Sequence, residues 1–261
     1  MSTASARADG VRVLITGGTC GLGAAMAAAL PDAAALVAVT GRDAARAGAA
    51  ARNLGGGAIG IGMDVRDERE VERGVDRACG EPGGLDVLVS NAGIGMRAVS
   101  PRFITGPQPF WTVPPGGFRD VVAASLSGCF LVARAVVPRM LAAAAGRVVN
   151  ISVNHATMNR KGFVPCGPAR AGAGALSRIM AADLAGSPVT VNLLLPGGAT
   201  LTGMIPEDLP EQMRSRLLPA SVMAGPIRWL CSPAAAGVHD QRIVASEFAS
   251  WLTERAGHGR T

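Results

Sequence analysis

The sequence predicts an α/β fold, a doubly wound parallel sheet in a single domain, on three observations. Short apolar runs recur at 11–16, 35–40, 58–63, 85–90, 147–152 and 189–195, too short for helices and apolar throughout, as strands covered on both faces are. Longer alanine-rich or charge-punctuated segments separate them, and strands alternating with helices give a parallel sheet. The 261 residues are 49% hydrophobic and 17% charged, enough for one substantial core, and no repeat or linker marks a second domain.

The elements follow in order. The first strand, 11–16, runs into Gly17, and Gly21 and Gly23 open a helix over 21–30. Further helices are predicted over 43–53, 67–79, 117–143, 165–185 and 220–231, with Asp43 and Asp67 as N-caps whose short carboxylates accept first-turn N–H groups. A last strand near Arg242 to Ala245 sits at the sheet edge, and the polar residues 1–10 are expected to be a flexible tail. Two stretches break the rhythm. Residues 95–117 carry Pro101, Pro107, Pro109, Pro114 and Pro115 with Phe103, Phe110 and Trp111; residues 198–218 carry Met204, Ile205, Pro206 and Met213. Both fall at the carboxyl ends of strands, where ligands bind in such sheets, and are expected to cover a pocket; the alternative is that their aromatics only plug the loop bases.

Composition narrows the function. The net charge is +6 with a pI near 9.9, but the arginines are scattered, without a basic run or interleaved aromatics, so a solvated basic surface is expected and no nucleic-acid partner. Lysine occurs once, at Lys161. Cys20, Cys79, Cys129, Cys166 and Cys231 are odd in number and widely spaced, which argues against a disulfide framework or a metal site and for a reducing compartment. The first ten residues lack a signal-peptide core, and Pro31-Asp32 interrupts the best apolar stretch short of the roughly eighteen residues of a membrane span. A cytoplasmic protein without a membrane partner is expected.

The glycine pattern carries the first chemistry. In Thr16-Gly17-x-x-x-Gly21-x-Gly23, set between a strand and a helix, Gly17 allows the tight turn, Gly21 lets backbone N–H groups approach a pyrophosphate, and Gly23 lets helix and strand pack closely. This is the build of a Rossmann-type dinucleotide site. After the second strand, Thr40-Gly41-Arg42 has no acid to hold a ribose 2′-hydroxyl, while Arg42 offers a charge for a 2′-phosphate; NADP is therefore expected over NAD.

With Asp64-Val65, Asn91-Ala92-Gly93 and Pro196-Gly197 following the third, fourth and sixth strands, the chain resembles the short-chain dehydrogenase/reductase family over nearly its whole length. The resemblance implies an NAD(P)-dependent oxidoreductase acting on a small-molecule carbonyl or alcohol, assembled as a homodimer or homotetramer. It implies cofactor binding by Gly17, Thr19, Gly21, Leu22 and Gly23, by Asp64 and Val65 at the adenine, by Asn91, Ala92 and Gly93 at the ribose, and by Pro196, Gly197 and Thr200 or Thr202 at the nicotinamide end. The family's chemistry rests on a tyrosine four residues before a lysine, a serine thirteen residues before the tyrosine, and an asparagine on an earlier helix. This chain has no tyrosine. The family positions fall on Cys166, Arg170, Val153 and Ser125, so all four members read as replaced.

Several readings stay open. Arg170 can still bond a ribose hydroxyl although it does not release its proton at ordinary pH. His155, two positions after Val153, is the best replacement acid, with capping of its own loop as the alternative. Cys166 beside Arg170 and a helix start could be a thiolate nucleophile, or simply a small residue left where a phenol was lost. The leading function is an oxidoreductase for a hydrophobic carbonyl or alcohol, with His155 or a bound water as proton donor. The alternatives are a non-redox cyclase, isomerase or dehydratase on the same scaffold, and a non-catalytic NADP-binding or partner subunit.

Overall fold

In a computed structural model that describes residues 10–30, 36–80 and 84–258, seven strands form one wholly parallel sheet. Apart from Gly10, the expected flexible tail lies outside the described residues. The strands are β1 (Arg12–Ile15), β2 (Leu36–Gly41), β3 (Ile59–Gly62), β4 (Val87–Ser90), β5 (Gly146–Ile151), β6 (Val189–Leu195) and, after two short strands β7 (Thr200–Leu201) and β8 (Leu218–Pro219) that pair only with each other, β9 (Arg242–Val244). The order is β3-β2-β1-β4-β5-β6-β9. The winding reverses at β1, where Val13 faces Val37 of β2 on one side and Val87 of β4 on the other. A crevice opens there at the carboxyl ends of the strands.

Alternation along β1 divides the core. Val13 and Ile15 pack with Met26, Leu30, Val39, Ile227 and Leu230 on one face, while Leu14 packs with Ile61, Leu88, Val136 and Met140 on the other. Each such buried aliphatic side chain contributes roughly 1.5–3 kcal/mol.

Helices α1 (Gly21–Ala28), α2 (Ala44–Leu54), α3 (Glu68–Cys79), α4 (Pro115–Val122), α5 (Gly128–Ala142), the short α6 (His155–Met158), α7 (Cys166–Asp183), the short α8 (Glu211–Arg214), α9 (Ala224–Cys231) and α10 (Phe248–His258) fill the connections. Both predicted caps are present: Asp43 Oδ1 accepts from the N–H groups of Ala45 at 2.8 Å and Arg46 at 3.0 Å, and Asp67 Oδ1 from that of Glu70 at 2.9 Å.

Three departures from the sequence reading have physical causes. The helix expected over 117–143 starts at Pro115, where proline's missing N–H costs nothing, and carries a π-helical turn at Ala123–Ser127 between α4 and α5. Although Pro31-Asp32 breaks the run singled out in the sequence, this continuous helix, Pro115–Ala142, is long and apolar enough to cross a membrane by length and composition. In this fold its Val132, Ala133, Val136 and Met140 pack into the core against the sheet. Helix α10 was not expected; it is held by Phe248 and Trp251 against Trp229 of α9, with ring centroids 5.8 Å and 5.4 Å from that of Trp229. The stretch 95–117 is not wholly irregular, containing 3₁₀ turns at Met96–Ala98 and Phe110–Thr112.

Candidate active site

The crevice is a cleft of about 790 Å³, and the glycine loop forms its floor. The loop's shape demands glycine at two points. Gly17 has φ +65° and a Cβ there would lie 2.9 Å from Ala92 Cα; a Cβ on Gly23 would lie 2.2 Å from the carbonyl oxygen of Gly17. Neighbouring strands then lock the loop. Thr16 Oγ1 accepts from the N–H groups of Asn91 and Ala92, both at 3.0 Å, and the Asn91 side-chain amide donates to the carbonyls of Thr16 and Gly17, also at 3.0 Å. Asn91 thus braces the loop with its side chain and offers the cleft its backbone.

At the β2–β3 end, Thr19, Arg42, Arg46, Asp64, Val65 and Arg66 line the wall. A Cβ on Gly41 would stand 2.8 Å from Thr19 Cγ2, so the glycine lets the Thr19 side chain lie close against β2. Asp64 is already engaged: Arg66 donates to its carboxylate through the backbone at 3.0 Å, through Nε at 3.1 Å and through Nη2 at 2.7 Å. These hydrogen bonds hold the Asp64 carboxyl below the usual carboxylate range. Arg66 also reaches Asp120 of α4 at 2.9 Å, tying this wall to that helix.

At the other end, the wall comes from 94–104, 151–170 and 196–205. Leu22, Gly93, Pro196, Gly197, Thr200 and Thr202 all line the cleft, with Thr200 Oγ1 donating to the Gly198 carbonyl at 3.1 Å and Thr202 Oγ1 accepting from the Met204 N–H at 3.3 Å. Gly197 has φ +99°, and Ser246 stands where its Cβ would be, 2.0 Å away. Both long loops reach the site through Met96, Phe103, Ile104, Met204 and Ile205. They also hold each other. Arg97 Nη1 donates to the carbonyls of Gly203 at 2.9 Å and Ile205 at 3.3 Å, its Nη2 pairs with Glu207 at 2.7 Å, and Thr105 donates to Asp208 at 2.7 Å.

The residues expected to carry chemistry separate here. Cys166 and Arg170, on the first turns of α7, line the cleft, as does Val153. The Cys166 sulfur faces the Ile94 carbonyl at 3.6 Å and packs with Met96, Phe103, Val121 and Ala169. Burial pushes its thiol up to about 11, outweighing the pull of Arg170, which disfavours the thiolate expected there. Arg170 donates from Nη1 to the Ile151 carbonyl at 2.8 Å and pairs with no carboxylate among the described residues. Desolvation lowers its pKa from the ordinary guanidinium value. Its guanidinium covers Gly93, and Ser125 lies behind it, in a separate void of about 10 Å³ shared with Thr16, Ser90, Cys129 and Arg170 and large enough for one water. Ser125 is thus beneath the cleft wall and does not line the main cleft.

His155 is the clearest correction. After β5 the chain runs extended to Asn154 and then turns into α6, which leaves His155 exposed and outside the cleft wall while Asn154 and Thr157 line it. The replacement acid expected there is not in the site. Sequence reasoning also missed Arg46, Arg66, Asn154 and Arg160 as lining residues. Arg46 and Arg66 had a readable signal, one turn after Arg42 on a capped helix and two residues after Asp64; Asn154, whose amide donates to the Gly197 carbonyl at 2.8 Å, and Arg160 had none.

The residues present suit a dinucleotide. The glycine loop has no room for side chains at Gly17 and Gly23, α1 starts at the cleft floor, and polar and cationic side chains line the β2–β3 end. Residues 11–212 match the family model for short chain dehydrogenases, and the chain belongs to that family. It is 34% identical to the D-threitol dehydrogenase of Mycolicibacterium smegmatis over 73% of this chain and 70% of that protein. It is 28% identical to the 3-oxoacyl-(acyl-carrier-protein) reductase of Aquifex aeolicus over 94% of each. Among solved structures it is similar to the 3-ketoacyl-(acyl-carrier-protein) reductase of Brucella melitensis complexed with NADH, with TM-score 0.78 and 26% identity over 90% of this chain and 96% of that one. The actinorhodin polyketide ketoreductase with NADPH gives TM-score 0.78 and 25% identity over 90% and 95%. The relatives are dehydrogenases and reductases, which supports an NAD(P)-dependent oxidoreductase.

Proposed function

We propose that the chain is an NADP-preferring oxidoreductase for a hydrophobic carbonyl or alcohol, working without a side-chain proton donor of the family kind. The observation that carries this reading is the β2–β3 end of the cleft. Arg42 and Arg46 line it, and glycine at position 41 leaves no acid there to repel a 2′-phosphate. When bound, the nicotinamide supplies the hydride. The glycine loop, Asn91, Ala92, Gly93 and the 196–202 segment position it, with Arg170 a permanent cation at the ribose.

Cys166, Arg170, Val153 and Ser125 stand in for the family's tyrosine, lysine, serine and asparagine. The Cys166 sulfur is one carbon from the backbone, packed against Phe103 and directed at the Ile94 carbonyl, and with His155 outside the cleft the proton is left to water. Met96, Phe103, Ile104, Phe163 and Met204 along the wall support the hydrophobic substrate. A homodimer or homotetramer is proposed through α5 and α7, where Phe130 and Ile179 stay 46% and 58% exposed, and light scattering reports it.

Fluorescence titration tests the cofactor reading: NADPH should bind about tenfold or more tighter than NADH, and Arg42→Ala should erase the difference. Equal affinities overturn it. NADPH binding with no consumption across a carbonyl panel shifts the reading to the second one that the replaced set favours, a non-redox enzyme or a partner subunit.

A further inference from the structure

The two ends of the cleft differ in their counter-charges. Asp43 and Asp64 line the β2–β3 end together with its arginines. The other end, walled by 94–104, 151–170 and 196–205, contains Arg160 and Arg170 and not one aspartate or glutamate among its lining residues. Arg170 is recessed, its Nη1 on the Ile151 carbonyl. Arg160 is at the rim, one turn before α7, and takes part in no ion pair or side-chain hydrogen bond among the described residues.

Arg160 is nonetheless held in place. Its guanidinium carbon lies 5.9 Å from the Phe103 ring centroid and 5.6 Å from that of Phe163, within cation–π range of both, and the two rings are 6.0 Å apart. Phe103 arrives from the long loop and is itself buried. A guanidinium settled on aromatic faces keeps its N–H edge free for a planar oxyanion, and its ordering has already been met by the rings. Below it, Phe103, Ile104, Phe163, Met96 and Met204 make an apolar wall.

We infer that this end of the cleft is built for an amphipathic carboxylate: an apolar body against the Phe103–Met204 wall with its carboxylate on the edge of Arg160. The inference rests on the proposed function for the identity of the other occupant, and adds the substrate class. A carboxylate fits better than a neutral polar group because the lining offers cations and no counter-charge. The apolar wall selects against small hydrophilic acids, which lose hydration without gaining contact.

Calorimetry on the NADP⁺-saturated protein tests it, with 2-naphthoate and the uncharged 2-naphthalenemethanol as probes sharing one ring system. The expected result is naphthoate binding roughly five- to tenfold tighter, as a part-exposed charge-assisted pair allows. Arg160→Gln should remove that preference while leaving NADP⁺ affinity unchanged, and Arg160→Lys should keep part of it. Equal affinity for the two probes, no binding of either, or a preference that survives Arg160→Gln overturns the inference. Titrating NADP⁺ alone, and the probes without it, separates the two readings: failure of NADP⁺ to bind removes the proposed function, while the naphthoate preference stands or falls on Arg160.

Discussion

The glycine-loop floor of the cleft and its 94–104/151–170/196–205 end are made by different means. The first is backbone: glycine positions whose Cβ atoms would strike Gly17, Ala92 or Thr19, braced by Thr16 and Asn91. The second is side chains on loops and helix starts that meet only in three dimensions, among them Phe103 with Phe163 and Arg97 with the carbonyls of 203 and 205. A backbone-built site tolerates little change, whereas a side-chain-built one can be refitted for new ligands on an unchanged frame.

The sharpest break of that contrast is Gly23→Ala. With a Cβ placed 2.2 Å from the Gly17 carbonyl, loop and helix must part, and NADPH affinity should fall by about thirtyfold to a hundredfold with a lower melting temperature. Fluorescence titration and a thermal melt report both, and unchanged binding would show that the loop is more plastic than its contacts imply. On the side-chain end, the combined variant Cys166→Tyr, Arg170→Lys and Val153→Ser should raise NADPH-dependent carbonyl reduction by about tenfold, a fraction of what a positioned acid contributes. Inertness in a broad panel, with NADPH still bound, would mean that the substrate end has been refitted for something other than reduction.

The smallest effect concerns the buried thiols. Cys129 and Cys166 are pushed up to about 11 and Cys231 to about 12 by burial, from an ordinary 9.0. Because these pKa values are raised by folding, their neutral forms contribute stability that is intact below pH 9 and is lost as pH rises through 11. Melting temperature should therefore drop between pH 9 and pH 11, and Cys166→Ala should flatten part of that drop. A variant with the same alkaline slope would place Cys166 in a more hydrated setting.

Much of the frame was legible in the sequence because it is local. Apolar runs marked the strands to within a residue or two, and Asp43 and Asp67 announced their helices through cap chemistry that acts over three residues. The glycine spacing was legible for the same reason. What escaped was long-range. Helix α10 is held by Trp229, roughly twenty residues away along the chain, and nothing within Phe248–His258 shows that partner. His155 was misplaced because counting along the chain gives position but not the direction taken after β5, and α6 turns it to solvent. Arg160 and Asn154 joined the site only when the sheet brought 94–104 and 196–205 beside them.

The hold of Arg97 on the carbonyls of Gly203 and Ile205, together with Thr105 on Asp208, makes two loops a hundred residues apart in sequence into one mechanical body. Neither can swing away without breaking hydrogen bonds to the other. In amide hydrogen exchange, Arg97→Ala should speed exchange in both segments, and an effect confined to one would show that the loops move separately. The length of the first loop thereby bears on the conformation of the second, since the reach of Arg97 and Thr105 sets where 203–208 can rest.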